Sequence, residues 1–151
     1  AVVDIWHNDV DGAYSGETPR ISCDNGRPDV RNVNFFRRLR TSDANGRVDF
    51  DSCVPGWYPG RTPHIHLQIR VQNTVFVTTQ IYFEDDFIDR IYAGHVDYRQ
   101  RPPRDTTNAT DASFRRLDAA QFVLRRGDMP DGAVQMSMTI ALADVPPAGS
   151  C

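Results

Sequence analysis

The sequence predicts an all-β fold: an antiparallel β-sandwich with little helix and one long polar loop. Glycine and proline, ten of each among 151 residues, interrupt the chain too often for long helices. Several segments instead alternate apolar and polar residues, or are rich in β-branched and aromatic residues, as strands are. The length is that of one domain, so we expect a single domain over 1–151.

The clearest predicted strand covers 64–71, where apolar and polar residues alternate without a break. Its apolar face would carry Ile65, Leu67, Ile69 and Val71, and its polar face His64, His66, Gln68 and Arg70. A short connection at 72–74 leads into a second β-branched and aromatic run at 75–83, which predicts a hairpin.

Further strands are predicted at 2–6 and 46–50. Near the end of the chain, apolar runs at 121–124 and 133–140 flank a turn sequence with Pro and Asp-Gly at 128–132. Between Glu84 and Ser113 the chain is polar and rich in Arg, Asp and Pro, which predicts a long loop; such loops are usually lids, binding loops or disordered segments.

Composition excludes several classes of function. The formal net charge is −3, whereas nucleic-acid modules are usually basic, so no nucleic-acid partner is expected. No run approaches the roughly 20 apolar residues that a membrane helix requires, so no membrane partner is expected either. All 17 basic residues are arginine, which excludes Schiff-base chemistry and a phosphate-loop lysine.

The cysteines Cys23, Cys53 and Cys151 have no C-x-x-C spacing, which argues against a zinc knuckle or a thioredoxin motif. Two interpretations remain open. Three reduced thiols are one, and a disulfide between Cys23 and Cys53 is the other. A disulfide would indicate an oxidising compartment.

The strongest local pattern is the pair His64 and His66. Residues two apart on a strand share a face, so both imidazoles can reach one ion, although most such histidines are surface residues. The preceding Pro/Gly turn brings Tyr58 and Arg61 to the same strand end. The neighbouring positions lack the carboxylate or further histidines of other metal sites, which leaves phenolate oxygens as candidate ligands.

Tyr14, in an Asp-Gly turn after the first strand, is the second candidate phenolate; it could instead pack its ring over the sandwich edge. A free tyrosine titrates near pH 10. Only a strongly Lewis-acidic cation such as Fe(III) would hold it deprotonated at neutral pH.

Three segments in order, at 3–16, 55–66 and 78–83, resemble the intradiol ring-cleavage dioxygenases, and most closely their short, often secreted branch. The segment 104–111 and the final hairpin resemble the same family. The resemblance implies a non-haem Fe(III) enzyme that cleaves catechol-type rings with O₂ to cis,cis-muconate-type dicarboxylates.

The resemblance also implies a role for each site residue. The metal ligands would be Tyr14, Tyr58, His64 and His66. Tyr58 would also take a substrate proton. Arg61 would stabilise anionic oxygens of the substrate, and Gln80 would lie beside the metal and the substrate. The alternative for Arg61 and Gln80 is an ordinary exposed position.

Family members carry strands before the first motif, so we expect this chain to lack them, and Cys151 could pair with a cysteine outside it. The resemblance further suggests a homodimer and a secreted or periplasmic location. The substrate could be catechol, protocatechuate, hydroxyquinol or a larger lignin-derived catechol. We expect Arg90, Arg99 and Arg101 to face water, although they could meet a carboxylated ring.

Two other functions fit parts of the pattern. A β-sandwich binding module without chemistry would keep the fold, but it predicts a broken ligand set, and all four positions are intact. Another His-x-His enzyme with zinc or copper would need carboxylate or histidine ligands that the motif lacks.

Overall fold

The computed structural model describes residues 1–16, 26–116, 119–130 and 133–143. In these ranges the chain forms two antiparallel sheets with little helix, as predicted. The strands are β1 (Val2–Trp6), β2 (Arg37–Thr41), β3 (His64–Val71), β4 (Thr74–Tyr82), β5 (Arg125–Asp128) and β6 (Val134–Ser137). The helices are α1 (Asp85–Gly94) and α2 (Ala112–Arg116), with short 3₁₀ turns at Pro28–Val30 and Ala119–Phe122.

The larger sheet has the order β2-β1-β3-β4, and β5 pairs with β6 in the smaller one. The β3 strand has the predicted bounds, and its alternation is confirmed because Ile65, Leu67 and Ile69 are buried in the core. The opposite face carries the two histidines, and His66 lies between Trp6 of β1 and Gln80 of β4 in the register. Sheet pairing thus brings three distant segments to one polar face.

The predicted hairpin between β3 and β4 is confirmed. Its two-residue turn places Gln72 at φ 49° and Asn73 at φ 64°. Two successive residues with positive φ match the twist of antiparallel strands, and asparagine adopts this conformation at low cost. The turn therefore fixes the register that sets Gln80 opposite His66.

The predicted polar loop contains the helix α1, which the sequence analysis did not predict. Phe87 and Ile88 are fully buried, and Ile91 packs against the same core of sheet residues. Asp85 and Asp86 in the first turn favour the helix through its dipole. Most residues of this segment are charged or polar, so the narrow apolar stripe of the helix gives only a weak pattern in the sequence.

The strand prediction for 46–50 is wrong: these residues form no strand, although Val48 and Phe50 pack against the core. The edge strand beside β1 is β2, whose five residues are all exposed, so it has no apolar alternation to detect.

The final hairpin is present, but its first strand begins at Arg125. Phe122 lies in a 3₁₀ turn, so the predicted strand over 121–124 is also wrong. No helix in the described ranges has the length and apolarity needed to cross a membrane.

Candidate metal centre and active site

Tyr14 reaches the polar face of the sheet through a tight turn after β1. The Asp9 carboxylate accepts the backbone N–H groups of Asp11 and Ala13 at 3.0 and 2.9 Å, and Gly12 has φ +86°. The buried Tyr14 side chain follows directly from this turn.

Tyr58 lies in the second turn, which packs backbone to backbone against the first. The Gly56 N–H donates to the Asp9 carbonyl at 2.9 Å. A Cβ atom on Gly56 would lie 2.3 Å from the Val10 carbonyl oxygen, and one on Gly12 would lie 2.3 Å from that of Trp57. Glycine at both positions is therefore what allows the two tyrosine-bearing turns to interlock.

The four predicted ligand side chains converge. The Tyr14 hydroxyl lies 3.1 Å from His66 Nε2 and 3.4 Å from His64 Nε2. The Tyr58 hydroxyl lies 3.2 Å from His64 Nε2. The structure thus brings together two phenol oxygens and two imidazole nitrogens contributed by two turns and one strand.

The donor set suits a single hard cation. Atoms 3.1–3.4 Å apart match the edges of a coordination shell with bond lengths of about 2 Å, as for nitrogen and oxygen ligands of zinc. No group of three or more His, Cys, Asp or Glu side chains in the described ranges could hold a metal, so a site here has to use the tyrosines. Phenolate oxygen is hard and anionic, which fits Fe(III) better than softer divalent ions.

Both histidines are held neutral. Burial, with a further contribution from the positive charge of Arg61, lowers the pKa of His64 to about 3 and that of His66 to about 4. His64 Nδ1 donates to the Thr62 carbonyl at 2.7 Å, which leaves its Nε2 lone pair directed at the tyrosine hydroxyls. Neutral imidazole is the form that binds metal ions.

The His66 ring is fixed by stacking. Its cross-strand neighbour Trp6 lies parallel to it, with ring centroids 4.9 Å apart, and the Arg37 guanidinium lies 5.2 Å from the centroid of the Trp6 ring on β1. This contact was not predicted from the sequence. It could have been found only by placing β1 beside β3 in register.

Arg61 lies at the same cluster, as predicted. Its NH1 group lies 3.5 Å from the Tyr58 hydroxyl, and its NH2 group donates to Gln80 Oε1. The same Gln80 oxygen accepts a hydrogen bond from Tyr82 at 2.7 Å. Burial raises the pKa of Tyr82 to about 12, so its phenol remains a donor.

Asp111 is a buried member of the site that the sequence analysis did not single out. It accepts Arg61 Nε and the Thr62 backbone N–H, both at 2.9 Å. Burial alone would raise its pKa, but donors from Phe114, Thr62 and Arg61 lower the pKa below its usual range. Its position directly before α2 is that of a helix cap, a signal that the sequence does contain.

Three other predictions have mixed outcomes. Cys53 is a half-buried free thiol, whereas Cys23 and Cys151 lie outside the described residues, as does any pairing they make. Arg90 and Arg99 are exposed, as predicted. The expectation for Arg101 is wrong: its guanidinium donates to the backbone carbonyls of Val10 and Trp57.

Two curated relatives match the sequence. The chlorocatechol 1,2-dioxygenase of Pseudomonas sp. (strain P51) is 30% identical over 59% of this chain and 39% of its own length. That of Pseudomonas putida is 26% identical over 56% of this chain and 35% of its own length. The chain therefore spans less than two fifths of either relative. No family model matches it.

Solved structures share the fold over nearly the whole chain. An intradiol ring-cleavage dioxygenase from Tetranychus urticae superposes with a TM-score of 0.78 at 28% identity, over 93% of this chain and 70% of that one. The dioxygenase domain of a carbohydrate-binding fusion protein from Streptomyces sp. SirexAA-E has a TM-score of 0.57 at 24% identity, over 91% of this chain and 64% of that one, which indicates the fold alone. By sequence and by fold together, these similarities support the intradiol ring-cleavage dioxygenase family for this chain.

Proposed function

We propose that this chain cleaves catechol-type rings with O₂ to cis,cis-muconate-type dicarboxylates, using Fe(III) held by Tyr14, Tyr58, His64 and His66. The observation that carries the proposal is the convergence of these four donor atoms, at 3.1–3.4 Å where they are hydrogen-bonded neighbours. The names of the Pseudomonas relatives support a catechol as the substrate class.

When bound, ferric iron would supply a Lewis-acidic centre that activates a catecholate toward O₂. The chain's contribution is the ligand environment. His64 and His66 are neutral donors because burial lowers their pKa values. Two anionic phenolates then offset most of a trivalent charge.

Tyr58 is the better placed of the two tyrosines to accept a proton from a substrate hydroxyl. Tyr14 is buried at 7% exposure and contacts both histidines, whereas Tyr58 is only half-buried and lies beside Arg61. A phenolate at this position would act as a general base as the catechol binds.

Arg61 would stabilise the negative charge that develops on the ring oxygens. Asp111 and Gln80 hold its guanidinium on two sides, so the cation is oriented before substrate arrives. Preorganised charge of this kind needs no rearrangement during reaction. A lysine would not reproduce the planar fork.

Ferric reconstitution of the purified chain tests the proposal. A tyrosinate-to-iron charge-transfer band should colour the protein red to burgundy and should shift when catechol is added, with O₂ consumed as the ring-cleaved dicarboxylate forms. Tyr58→Phe should weaken the band and His66→Gln should abolish it. The matched control His95→Gln, at an exposed histidine, should leave it unchanged.

A colourless protein after ferric loading would contradict the proposal. If the chain then bound a catechol without O₂ uptake, the non-catalytic binding module would be favoured. If it instead bound zinc or copper tightly, the other His-x-His metalloenzyme would be favoured.

A further inference from the structure

We infer that Arg101 is a positioning residue, which sets the spacing of the two tyrosine-bearing turns by binding one backbone carbonyl from each. The inference rests on the proposed function, since it concerns the same donor set. It assigns no chemical step to Arg101, which acts through the turns that carry Tyr14 and Tyr58.

The contacts of Arg101 are bidentate and directed at main chain. Its NH1 group donates to the Val10 carbonyl at 2.9 Å, and its NH2 group donates to the Trp57 carbonyl at 2.7 Å. The guanidinium also lies 4.8 Å from the centroid of the Trp57 ring, close enough for a cation–π contact. One planar fork therefore holds two carbonyls separated by more than forty residues of chain.

These are the same two carbonyls that crowd the glycines of the interlocked turns. The Val10 oxygen lies 2.3 Å from where a Cβ of Gly56 would be, and the Trp57 oxygen lies 2.3 Å from where one of Gly12 would be. The interlock thus leaves both carbonyls directed toward one guanidinium. The Arg101 guanidinium offsets the partial negative charge of both carbonyl oxygens and keeps the distance between them fixed.

The separation of the Val10 and Trp57 carbonyls determines the positions of the two tyrosine oxygens. Trp57 immediately precedes Tyr58, so the clamped carbonyl belongs to the peptide that leads into Tyr58. Val10 lies inside the first turn, which is closed by a hydrogen bond of 2.9 Å from the Asp9 N–H to the Ala13 carbonyl. Ala13 is the residue directly before Tyr14. Arg101 therefore fixes the two backbones from which the tyrosine oxygens are presented.

Arginine is required here by geometry as well as by charge. Burial lowers the pKa of Arg101, but a guanidinium stays protonated in proteins. Lysine would present a point charge on a flexible stem and could not hold two carbonyls in a fixed fork. The prediction is that Arg101→Lys restores only part of what Arg101→Ala loses.

The test compares four proteins loaded with ferric iron: wild type, R101A, R101K and R99A, the last being an exposed arginine of the same segment. Loss of an outer contact to a metal site typically lowers metal affinity by about 10- to 100-fold. We expect a loss of this size in R101A with a shifted charge-transfer band, a smaller loss in R101K, and wild-type behaviour in R99A. Millimolar guanidinium chloride should restore the R101A band toward that of wild type.

A second measurement needs no metal. Amide hydrogen exchange in the metal-free protein should be faster at 9–14 and 55–60 in R101A than in R99A, with β3 and β4 protected equally in both. Unchanged exchange in both turns, or equal ferric affinity and equal bands in R101A and wild type, would overturn this inference while leaving the proposed function intact. Wild-type ferric affinity in R101K would show that two hydrogen bonds from one guanidinium are not required, and would overturn that part of the inference. A wild-type chain that binds no ferric iron would overturn both proposals.

Discussion

Asp111 illustrates how one buried side chain orders several parts of the site. Both of its oxygens are used: one accepts from Arg61 and Thr62, and the other from the backbone N–H groups of Ser113 and Phe114 at 2.7 and 3.0 Å. The carboxylate is fully buried, while its cationic partner is partly open toward the cluster. The residue therefore joins the start of α2 to the arginine beside Tyr58.

Replacing Asp111 with Asn should both destabilise the fold and impair the site. An amide can accept on one side only, so one pair of donors would face an NH₂ group and Arg61 would lose its counter-charge. Removing one partner of a buried ion pair typically costs about 3 kcal/mol or more. Urea unfolding should report this loss, and ring cleavage by the ferric protein should fall as Arg61 loses its orientation.

The matched control is Asp49→Asn. Asp49 pairs with Arg47 at 2.9 Å, but both side chains are about two-thirds exposed, at 69% and 67%. Exposed pairs contribute little to stability, so this variant should unfold like wild type. Equal effects of the two substitutions would contradict the role assigned to burial at Asp111.

At the level of elements, the segment 95–105 after α1 is hydrogen-bonded to the turn that carries Tyr58 and does not form a free lid. The Trp57 indole N–H donates to the Pro102 carbonyl at 3.1 Å, and the Gly60 N–H donates to the Asp105 carboxylate at 3.2 Å. Tyr98 adds a hydrogen bond to the Val54 carbonyl at 2.6 Å. The stretch predicted as a binding loop thus fastens the turn that carries Tyr58.

Because the two turns are in close contact, glycine substitutions there should destabilise the protein, whereas a glycine substitution in α1 should not. Gly56→Ala would place a Cβ 2.3 Å from the Val10 carbonyl and should separate the turns, at a cost of about 1–3 kcal/mol, the range for overpacking. Ferric binding should weaken in parallel, because the tyrosines move with their turns. Titration with ferric iron and chemical denaturation measure the two effects.

Gly94→Ala provides the comparison within a regular element. Gly94 ends α1, and a Cβ there would meet nothing within 4 Å. Alanine in a helix is favoured over glycine, so this variant should be more stable by up to about 1 kcal/mol. A stable Gly56→Ala protein with wild-type ferric affinity would show that the turns do not need their close approach.

Over the whole molecule, a buried histidine outside the metal cluster links stability to pH. His7 is 1% exposed, with Nδ1 2.7 Å from the Asn8 carbonyl and Nε2 2.6 Å from the Ser52 hydroxyl. Burial lowers its pKa, although the bond to Asn8 raises it in part. These contacts give His7 a structural role.

The sign of the resulting pH effect follows from proton uptake. Below about pH 6.5, the ordinary histidine pKa, the unfolded chain binds a proton at His7 that the folded chain does not bind. The free energy of unfolding should therefore fall as pH decreases from 7 to 5. Metal-free wild type and His7→Gln, compared by urea unfolding at both pH values, should differ in this pH dependence, with the smaller fall in His7→Gln. Equal falls would contradict the assignment.

Local pattern was sufficient for the parts of the fold and site that depend on neighbouring residues. The alternation over 64–71 gave the bounds of β3 and the face of each side chain, because a strand has a period of two. The short connection predicted at 72–74 indicated the hairpin, whose turn lies at 72–73. The motif residues gave four donors that the structure brings together, and their role as iron ligands stays a proposal.

The remaining features depend on contacts between distant segments. Trp6 meets His66, and Arg101 meets Val10, only after the sheet and the interlocked turns have formed. The exposed edge strand β2 and the charged helix α1 have weak apolar patterns, since their stability comes from pairing or from one narrow buried stripe. No local rule could have located these features.

The order of the site residues along the chain has a consequence for biosynthesis. All four donors lie between Tyr14 and His66, whereas the arginine that clamps their turns and the carboxylate that orients Arg61 come later, at 101 and 111. Ribosomes elongate at about 5–20 residues per second, so a nascent chain contains all four donors for seconds before those later residues have been added. Iron captured in that interval would meet a pliable donor set, and a well-defined centre has to await the synthesis of Arg101 and Asp111.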